Sequence, residues 1–551
     1  MRSIYLLSTI MSKRRSESDD NIPNKKTREI CSFKEKCFRR NPHHFMQYDH
    51  PHLDVLLGQN DINIPSGYLD KSIVLEQIKI LKDVRKPSKE LWKDFKQGPS
   101  NVTNISTPAK NFAAKLKCNA PYNLFFTVVP DSPQTKNQNN SIQITDLLCP
   151  SLGDLKCSLQ INFMIDIMWL MEQYAYTKNE KKPLTMLYGE DFPNMKEYMA
   201  KCLPNVTPHF IKMQDPFGTH HSKMGIYAYT DGAIRVVIST ANLYYEDWNL
   251  YCQGVWVSPK CPPLPTDKSD SDGSGPTDFK GSLQSYLKSY NLPCLTEWIE
   301  RVKRADFSDV KVFFVASMPG KHLPRSSGCH LQRVGDLLSR HCSLPDNNAP
   351  SGDGALSWSI IAQSSSLGNF GQTPAAWLRS ALLRTLASHK KQPLPGSSNA
   401  KLSIIFPTVE NVLDSYKGPD GGGCLPYGKK THEKQRWLES YLHEWKADRS
   451  RRTRAMPHMK SYCRVSPCHT RLAYFLLTSA NISKAAWGSL NKSDSCSYVR
   501  SYEVGVLFLP SFFDEPYFSI DDKQITKGNL FPFMYDLPLS PYKTSDTPWC
   551  Q

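Results

Sequence analysis

The chain has 551 residues, 40% of them apolar and 11% aromatic, which is enough for two or three domains with cores of their own. No run of 18 apolar residues occurs, which excludes a membrane-spanning helix of the usual kind. The formal net charge is +16, which favours a polyanionic partner, nucleic acid first and anionic membrane second. The 16 cysteines lack the dense spacing of a secreted disulfide scaffold, so we interpret them as mostly reduced intracellular thiols.

Residues 1–28 are polar and basic, and we predict a disordered tail. An apolar stretch at 4–11 runs into Lys13–Arg15 without a clear cleavage site, so we do not expect a signal peptide. Lys13–Arg15 and the basic residues at 25–28 fit a nuclear-import signal, and a solvated tail fits the same residues.

A cluster of cysteine and histidine occupies residues 29–52, with the spacing C-x5-C-x6-H-x5-H. Two thiolates and two imidazoles suit a tetrahedral zinc site, and a segment this short cannot bury a core of its own. By chemistry alone the assignment stays open, because His43 and His52 show that histidine is locally abundant. The candidate ligands are Cys31, Cys37, His44 and His50.

The same segment resembles the poly(ADP-ribose)-binding zinc finger family. The matching features are Arg28, Phe33 and the run Cys37–Pro42, whereas Lys34 and Phe38 depart from the family pattern. The resemblance implies a structural zinc ion and poly(ADP-ribose) as a ligand.

Further along, the apolar pattern is that of a globular α/β protein. We leave residues 53–118 as a linker or uncertain region. Tyr122–Val129 and Val310–Ala316 are predicted strands, and Ser158–Tyr174 is predicted to be a buried helix. A boundary near residue 308 divides the remainder into halves at 119–308 and 309–551.

Two stretches, Thr219–Asn242 and Pro457–Asn481, repeat one pattern. Each begins with His-x-Lys, runs through a turn or loop into an apolar strand and ends on a small residue followed by Asn. A lone His-x-Lys is ordinarily an edge-strand position with a solvated lysine, but two matching copies are hard to obtain by chance. We therefore interpret the two stretches as halves of one active site.

The residue types in the repeat suit phosphoryl transfer. Residues i and i+2 of an extended segment share a face, so each copy presents an imidazole beside an ammonium. The ammonium holds phosphate oxygens, and the imidazole acts as nucleophile or proton donor. One histidine would attack phosphorus while the other protonates the departing oxygen. His220 is a rival nucleophile on chemistry alone. The predicted phosphate-binding set is His221, Lys223, Asn242, His458, Lys460 and Asn481.

A strand follows each copy of the repeat and carries a polar residue near its start. Gln253 precedes the apolar run Gly254–Val257, and Glu503 begins the run Glu503–Leu509. We interpret Gln253 and Glu503 as groups that hydrogen-bond the catalytic imidazoles.

These motifs resemble the tyrosyl-DNA phosphodiesterase family of the phospholipase D superfamily. The matching segments are DPFGTHHSKM, RVVISTANLYYEDW and QGVWVSP in the first half, and AMPHMK, LLTSANISKAAWGSL and RSYEVGVLFLPS in the second. The resemblance implies an α/β fold in which two phospholipase D-like αβα halves form a pseudo-dimer with one active site at their interface, preceded by the small zinc finger.

The resemblance also implies a role for each residue of the site. His221 would be the nucleophile that forms a covalent phosphohistidine with the 3′-phosphate of DNA, and the family pattern favours it over His220. His458 would be the acid that releases tyrosine and then the base that activates water. The lysines and asparagines of the repeat would bind the phosphate, and no metal would take part in catalysis.

Candidate DNA contacts lie on one side of the phosphate. Phe217 is expected to stack on a base. The Arg-rich stretch at 449–454 is interpreted as a reinforcement of the groove, with a solvated loop as the alternative. The other expected contacts are Ser364, Ser365, Ser366, Ser483 and Lys484.

The function that follows is a nuclear DNA-repair phosphodiesterase that hydrolyses the 3′-phosphotyrosyl bond between DNA and a topoisomerase I-derived peptide. It would act on single-stranded or duplex 3′ ends as a monomer, clear other 3′ blocking adducts and be recruited through poly(ADP-ribose), with no membrane partner. The alternatives are another phospholipase D-type phosphodiesterase or nuclease, and a poly(ADP-ribose)-binding scaffold. Asn242 and Asn481 stand where most of the superfamily has Asp, which counts against a lipid phospholipase.

Overall fold

The structure is a computed structural model, and its description begins at residue 29. The chain forms two compact units, one comprising 1–107, 166–172 and 191–204 and the other comprising 108–165, 173–190 and 205–551. Among the described residues, no helix has the length and apolar character needed to cross a membrane. The residues described are 29–31, 34–37, 48–58, 64–68, 71–85, 112–190, 199, 202–324, 326–345, 354, 357–395, 398–490, 496–521 and 529–551.

The N-terminal unit contains two short strands, β1 (Glu29–Ile30) and β2 (Tyr48–Asp49), which pair in parallel. Two helices follow, α1 (Pro51–Leu57) and α2 (Lys71–Arg85). Pro51 suits the first turn of α1, where its missing N–H has no helical partner. The helices bury a small apolar core, so part of the region left as a linker is folded. That core consists of Leu53, Leu56, Val74, Ile78 and Leu81.

The larger unit contains two eight-stranded mixed sheets. The first sheet has the spatial order β4-β3-β10-β9-β8-β5-β6-β7. Its strands are β3 (Leu124–Thr127), β4 (Ser141–Ile142), β5 (Leu155–Asn162), β6 (Leu184–Tyr188), β7 (Val206–Phe210), β8 (Met224–Tyr229), β9 (Ile234–Ser239) and β10 (Gly254–Val257).

The second sheet has the order β11-β20-β17-β16-β13-β14-β15, and β21 pairs with β17 beside this path. A separate small sheet has the order β12-β19-β18. The strands are β11 (Phe313–Ser317), β12 (Gly320–His322), β13 (Ser359–Gln363), β14 (Leu402–Ile405), β15 (Leu442–His443), β16 (Ser461–Val465), β17 (Arg471–Thr478), β18 (Ser489–Leu490), β19 (Ser497–Val499), β20 (Glu503–Phe508) and β21 (Phe518–Ser519).

Helices connect these strands. The α-helices are α3 (Phe112–Cys118), α4 (Ile144–Leu147), α5 (Ile167–Tyr176), α6 (Tyr245–Asn249), α7 (Phe279–Ser289), α8 (Thr296–Lys303), α9 (His330–His341), α10 (Arg384–Leu386), α11 (Val409–Leu413), α12 (Lys429–Glu433) and α13 (Lys484–Trp487), and a π-helical segment, Leu378–Leu383, precedes α10. Shorter 3₁₀ segments are Lys34–Lys36, Pro133–Asn137, Pro150–Leu152, Pro293–Leu295, Pro374–Ala376, Gly418–Cys424, Arg436–Tyr441 and Pro510–Phe513.

The two large sheets repeat one topology. The path β3-β10-β9-β8-β5-β6-β7 of the first sheet matches the path β11-β20-β17-β16-β13-β14-β15 of the second, strand for strand. The pairing senses match as well, since β5–β6 and β13–β14 are parallel while β8–β9 and β16–β17 are antiparallel. The buried side chains of both sheets form one continuous apolar cluster. The predicted α/β architecture of two related halves is therefore confirmed.

Of the individual helices and strands predicted from the sequence, two strands are confirmed and one helix is partly wrong. Strand β3 lies inside the predicted strand Tyr122–Val129, and β11 begins three residues after the start of Val310–Ala316. The predicted helix Ser158–Tyr174 is wrong in its first part, which belongs to strand β5, and helix α5 begins only at Ile167. Nearly every residue of β5 is buried on both faces, so its apolar run lacks the alternation that identifies a strand.

Candidate active site

His221 and Lys223 lie in an extended segment immediately before strand β8. The His221 N–H donates to the Tyr502 carbonyl at 2.9 Å, and the Tyr502 N–H donates to the Thr219 carbonyl at 3.0 Å. These bonds join the segment to the start of β20 in the other half. Lys223 Nζ donates to the His221 carbonyl at 3.0 Å. The ammonium is therefore held close to the histidine it was predicted to accompany.

The second copy is built in the same way. His458 and Lys460 directly precede β16, and Lys460 Nζ donates to the His458 carbonyl at 2.5 Å. The His458 N–H donates to the Cys252 carbonyl at 3.0 Å, which joins this segment to the start of β10 in the first half. Gly254 begins β10 facing Leu477 of β17, and any side chain there would collide with that leucine. The two halves therefore meet at the backbone level on both sides of the site.

The polar residues at the starts of β10 and β20 each contact a histidine of the opposite half. Glu503 Oε2 lies 2.9 Å from Nδ1 of His221, and Gln253 Nε2 lies 2.9 Å from Nδ1 of His458. Each histidine is therefore oriented by a residue from the opposite half. The sequence predicted that Gln253 and Glu503 support imidazoles, but it did not assign either to a histidine.

Glu503 fixes the protonation of His221. Burial alone would raise the pKa of Glu503, but His221, Ser479 and the charge of Lys223 together hold it below its ordinary value. The Ser479 hydroxyl donates to the same carboxylate oxygen at 2.5 Å. A buried carboxylate at this distance keeps the proton of His221 on Nδ1, so that Nε2 carries the lone pair. Burial, outweighing Glu503, lowers the pKa of His221.

His458 has a second partner that the sequence analysis missed. Asp247 Oδ2 lies 3.1 Å from Nδ1 of His458 and also accepts the backbone N–H of Asn242 at 2.5 Å. Asp247 is fully buried and belongs to the first turn of α6. An acidic residue five positions after the repeat asparagine was the available signal. Burial lowers the pKa of His458 to about 4, opposed by Asp247 and reinforced by Lys460.

Phe163 is another residue that the sequence analysis did not single out. Its ring centroid lies 5.7 Å from that of His221 and 5.5 Å from Nζ of Lys223. The aromatic face attracts the ammonium and provides an apolar wall beside His221.

The two lysines occupy one electrostatic environment. Burial lowers the pKa of Lys223 to about 7, and the positive charge of Lys460 contributes to this shift. Burial likewise lowers the pKa of Lys460 to about 8. Both amines are fully buried, and the carboxylates of Glu503 and Asp247 offset part of the effect of burial on them. A bound phosphate would favour the charged form of both amines further.

The two asparagines are held differently. The backbone of Asn242 is fixed by Asp247 and by the Trp248 indole N–H, which donates to its carbonyl at 3.0 Å. Asn481 Oδ1 instead accepts the Ser364 hydroxyl at 3.0 Å and the Ser366 N–H at 3.0 Å. Bonds to the oxygen of Asn481 leave its amide N–H groups as the donors for a substrate.

The structure places the rival histidine away from this cluster. His220 is fully buried, and its Nε2 lies 2.9 Å from the Tyr290 hydroxyl. Burial, followed by the charge of Lys223, lowers the pKa of His220 to about 3. His220 is therefore packed in the protein interior against Tyr290, and its ring does not join the lysines and asparagines.

The predicted DNA contacts fall into two groups. Phe217 is 77% exposed, and the guanidinium carbon of Arg500 lies 5.6 Å from its ring centroid. The Ser483 hydroxyl accepts the Ala486 N–H at 3.1 Å, at the start of α13, where Lys484 is the first residue. By contrast, Arg452 is fully buried and donates to the Thr127 carbonyl at 3.0 Å, so its interpretation as part of a DNA groove is wrong.

Three of the four predicted zinc ligands lie together in the N-terminal unit. The ligand atoms of Cys31, Cys37 and His50 are all within 4.8 Å of one another, and all three residues are buried. His44 lies outside the described residues. Two thiols and an imidazole at this separation fit the donor set of a tetrahedral zinc site. Gln77 of α2 donates to the Cys37 carbonyl at 2.6 Å, which ties the ligand loop to the helical part of the unit.

The fold consists of two repeated halves, each built on a mixed sheet. Each half contributes a residue that hydrogen-bonds the histidine of the other half, next to the paired lysines. This arrangement defines an α/β phosphodiesterase of the phospholipase D type. The crystal structure of the yeast tyrosyl-DNA phosphodiesterase has a similar fold, with a TM-score of 0.57 and 21% identity over 78% of this chain and 99% of that one. The profile described as "Tyrosyl-DNA phosphodiesterase" matches residues 123–543, and the profile described as "PBZ domain" matches residues 28–53.

Relatives with similar sequences agree. Tyrosyl-DNA phosphodiesterase 1 of Drosophila melanogaster is 36% identical, covering 94% of this chain and 98% of its own. The probable tyrosyl-DNA phosphodiesterase of Caenorhabditis elegans is 31% identical, covering 82% of this chain and 94% of its own. The chain belongs to the tyrosyl-DNA phosphodiesterase family and is a phosphodiesterase with a PBZ domain at its N-terminal end. The resemblances seen in the sequence are thereby confirmed.

Proposed function

We propose that this enzyme hydrolyses the 3′-phosphotyrosyl bond between DNA and a topoisomerase I-derived peptide through a covalent phosphohistidine. The observation that carries the proposal is the reciprocal pairing of Glu503 with His221 and of Gln253 with His458. This pairing prepares two histidines of different character beside two buried ammonium groups. One nucleophile, one proton donor and a cationic phosphate site are the requirements of a two-step displacement at phosphorus.

In the first step the Nε2 lone pair of His221 attacks phosphorus while the bond from phosphorus to the tyrosyl oxygen breaks. The departing oxygen takes a proton from Nε2 of His458, which makes it a neutral phenol. The imidazole of His221 becomes positively charged when it bonds to phosphorus. The carboxylate of Glu503, 2.9 Å from Nδ1, stabilises that charge.

In the second step water attacks the phosphohistidine, and the bond from phosphorus to Nε2 of His221 breaks. His458 now accepts the proton that water loses, because its Nε2 was left with a lone pair by the first step. The products are DNA ending in a 3′-phosphate and a neutral His221. Acid–base catalysis of this kind is typically worth about 10²–10⁴-fold.

The phosphate itself would be held by the ammonium groups and amide N–H groups of the site. Lys223 and Lys460 neutralise the non-bridging oxygens, and their lowered pKa values would rise when the anion binds. Asn242 and Asn481 add neutral donors. Because two amides stand where most of the superfamily has carboxylates, a DNA adduct remains favoured over the runner-up, another phospholipase D-type substrate.

The rest of the substrate would extend from this centre. Phe217, exposed and backed by Arg500, is suited to stacking on a base near the 3′ end. Ser366 and the Ser483–Lys484 pair would contact the backbone phosphates, whereas the hydroxyls of Ser364 and Ser365, also predicted as contacts, are buried against Asn481. Other 3′ blocking groups would be removed in the same way, as an exonuclease-type trimming of the end.

The N-terminal unit would bind one structural zinc ion and poly(ADP-ribose). The cluster of Cys31, Cys37 and His50 supports the metal, with His44 as the fourth ligand expected from the sequence, and the PBZ match supports poly(ADP-ribose) as the ligand. Zinc here would order the ligand loop and play no part in catalysis. Recruitment by poly(ADP-ribose) implies a nuclear enzyme that acts at DNA breaks, and we expect it to act as a monomer.

The test uses a single-stranded oligonucleotide bearing a 3′-phosphotyrosyl group. His221→Ala should abolish turnover and form no covalent adduct, whereas His458→Ala should slow turnover and accumulate a protein–DNA adduct. His469→Asn is the matched control, because His469 lies in the turn between β16 and β17 in a left-handed conformation (φ 60°) that asparagine tolerates. Full turnover by His221→Ala would overturn the assignment of roles.

A further inference from the structure

Two groups contact the same nitrogen of His458 and require opposite protonation states of it. Gln253 Nε2 lies 2.9 Å from Nδ1, and Asp247 Oδ2 lies 3.1 Å from it. An amide N–H can donate only to a nitrogen that has a lone pair, whereas a carboxylate can only accept from a protonated nitrogen. The partner that prevails therefore decides which form of His458 the site contains.

Asp247 is built to remain an anion in this position. It is fully buried, and its Oδ2 accepts the Asn242 N–H at 2.5 Å. Burial would raise its pKa, but contact with His458 and the bond from Asn242 hold that pKa below its ordinary value. The carboxylate already accepts from the Asn242 N–H and the Tyr244 hydroxyl, and the Nδ1–H of His458 is the donor that would bring a compensating positive charge.

The amide of Gln253 can adapt to either form of the histidine. Its Oε1 accepts the Thr240 hydroxyl at 2.8 Å, and that hydroxyl oxygen accepts the Gly254 N–H at 3.0 Å. If the amide turns over, its N–H₂ can donate to the Thr240 oxygen while the hydroxyl turns toward the Gly254 carbonyl, 3.4 Å away. Oε1 would then accept from Nδ1 together with Asp247.

We propose that Asp247 is the positioning residue that keeps a proton on Nδ1 of His458, so that Nε2 alone exchanges protons during the reaction. This inference rests on the proposed roles of the two histidines. In the first step the Nε2 proton passes to the tyrosyl oxygen while Nδ1–H stays with Asp247. In the second step the Nε2 lone pair takes a proton from water, and His458 returns to its doubly protonated form.

The charge of Asp247 is needed because burial and the other groups around His458 oppose protonation and lower its pKa to about 4 without substrate, so the imidazolium that donates the proton forms only with the joint help of Asp247 and the anionic phosphate. Burial and the positive charges of Lys460 and Lys223 all disfavour the imidazolium, and Asp247 is the anion that counters them. The phenol of Tyr251, whose ring centroid is 6.4 Å from that of His458, is neutral because burial raises its pKa well above the ordinary value. Removing the charge of Asp247 should therefore weaken His458 as a proton donor and leave the nucleophile His221 intact.

The experiment compares Asp247→Asn with the natural enzyme on two oligonucleotides, one with a 3′-phosphotyrosyl group and one with a 3′-phospho-nitrophenyl group. Asparagine can still accept the Asn242 N–H but carries no charge. At neutral pH we expect adduct formation from the tyrosyl substrate to fall roughly 10- to 100-fold. The nitrophenyl substrate should change less than about threefold, because its leaving group departs without a proton.

Two further measurements distinguish a role of Asp247 in proton transfer from a purely structural role. The optimum for tyrosyl cleavage should move to lower pH in Asp247→Asn, since His458 would then be protonated only in more acidic solution. Adding Gln253→Glu to that variant returns a carboxylate to Nδ1 and should recover at least tenfold of the loss. An equal loss on both substrates, no loss on either, or a double variant slower than Asp247→Asn would each overturn the proposal.

A measurement on the unmodified protein tests the inference without relying on the correct folding of a variant. Nitrogen-15 NMR of labelled histidine, assigned by the signal missing from His458→Gln, should show a protonated Nδ1 at neutral pH. An unprotonated Nδ1 would overturn the inference. If His458→Ala traps the adduct while Asp247→Asn behaves like the natural enzyme, only the role of Asp247 fails and the proposed function stands.

Discussion

Glu503 Oε2 lies 2.9 Å from Nδ1 of His221, although the two residues are 282 positions apart and belong to different halves of the fold. The bond exists because the start of β20 pairs with the segment that carries His221. The equivalent contact between Gln253 and His458 runs in the opposite direction. Each half therefore supplies only part of the proposed catalytic set, and the candidate active site is assembled from both.

The charge of Glu503 should matter more than its hydrogen bond. Glu503→Gln can still accept from Nδ1 through Oε1, but it cannot stabilise the cationic phosphohistidine. We expect adduct formation to slow roughly 10- to 100-fold, measured in single-turnover experiments. Ser479→Ala, which removes the other donor to the same carboxylate oxygen, is the control and should cost less. Adduct formation at the natural rate in Glu503→Gln would contradict this account of the nucleophile.

Substrate capture should decline in mild alkali. The pKa values of Lys223 and Lys460, about 7 and about 8, mean that both amines are charged below pH 7 and lose protons as pH rises. We therefore expect kcat/KM to fall at least tenfold between pH 7 and pH 9, because this parameter reports the free enzyme. Lys260→Ala, which removes an exposed ammonium paired with Asp231, should keep the same profile.

Stability should move in the opposite direction over the same range. The unfolded lysines keep their protons to about pH 10.4, so the unfolded state binds more protons than the native state above pH 7. The contribution of Lys223 and Lys460 to the free energy of unfolding therefore increases as pH rises. Urea unfolding midpoints measured between pH 7 and pH 9 separate lost binding from denaturation. A constant kcat/KM would show that the lysines remain charged throughout.

The hydrogen bonds accepted by Oδ1 of Asn481 should fix the orientation of its side-chain amide. Because Oδ1 accepts bonds from Ser364 and from the backbone N–H of Ser365 and Ser366, the amide nitrogen faces the substrate side. Asn481→Asp would replace that nitrogen with an anionic oxygen near the phosphate, and we expect kcat/KM to fall roughly 100-fold or more. Ser365→Ala removes one hydroxyl at 3.2 Å and should cost only a few-fold. Equal activity of Asn481→Asp would exclude a direct phosphate contact.

Loss of the zinc ion should leave catalysis unchanged. The full chain should contain about one zinc ion, and Cys37→Ser should lose it because a thiolate ligand is missing. Turnover of the 3′-phosphotyrosyl oligonucleotide should be unchanged in Cys37→Ser and should survive EDTA, while binding to poly(ADP-ribose) should be lost. Loss of turnover on chelation would indicate a metal-dependent nuclease instead. Cys118→Ser, an exposed cysteine outside the cluster, is the matched control.

The repeat was visible in the sequence because the chemistry of each copy is local. His221 and Lys223, like His458 and Lys460, lie two positions apart, so their side chains are neighbours whatever the rest of the chain does. The apolar strands that follow were readable for the same reason. The first part of the helix predicted over Ser158–Tyr174 is wrong because a strand buried on both faces shows no periodicity, whereas helix α5 confirms the second part.

What the sequence predicted by itself was which residues form the candidate reactive groups, because side-chain spacing along an extended segment is fixed by backbone geometry. Tertiary structure alone decided which carboxylate or amide serves each histidine, that Asp247 joins His458, and that His220 and Arg452 are buried elsewhere. These contacts join residues as far as 325 positions apart in the chain. They depend on how two sheets align, and no local pattern encodes that alignment.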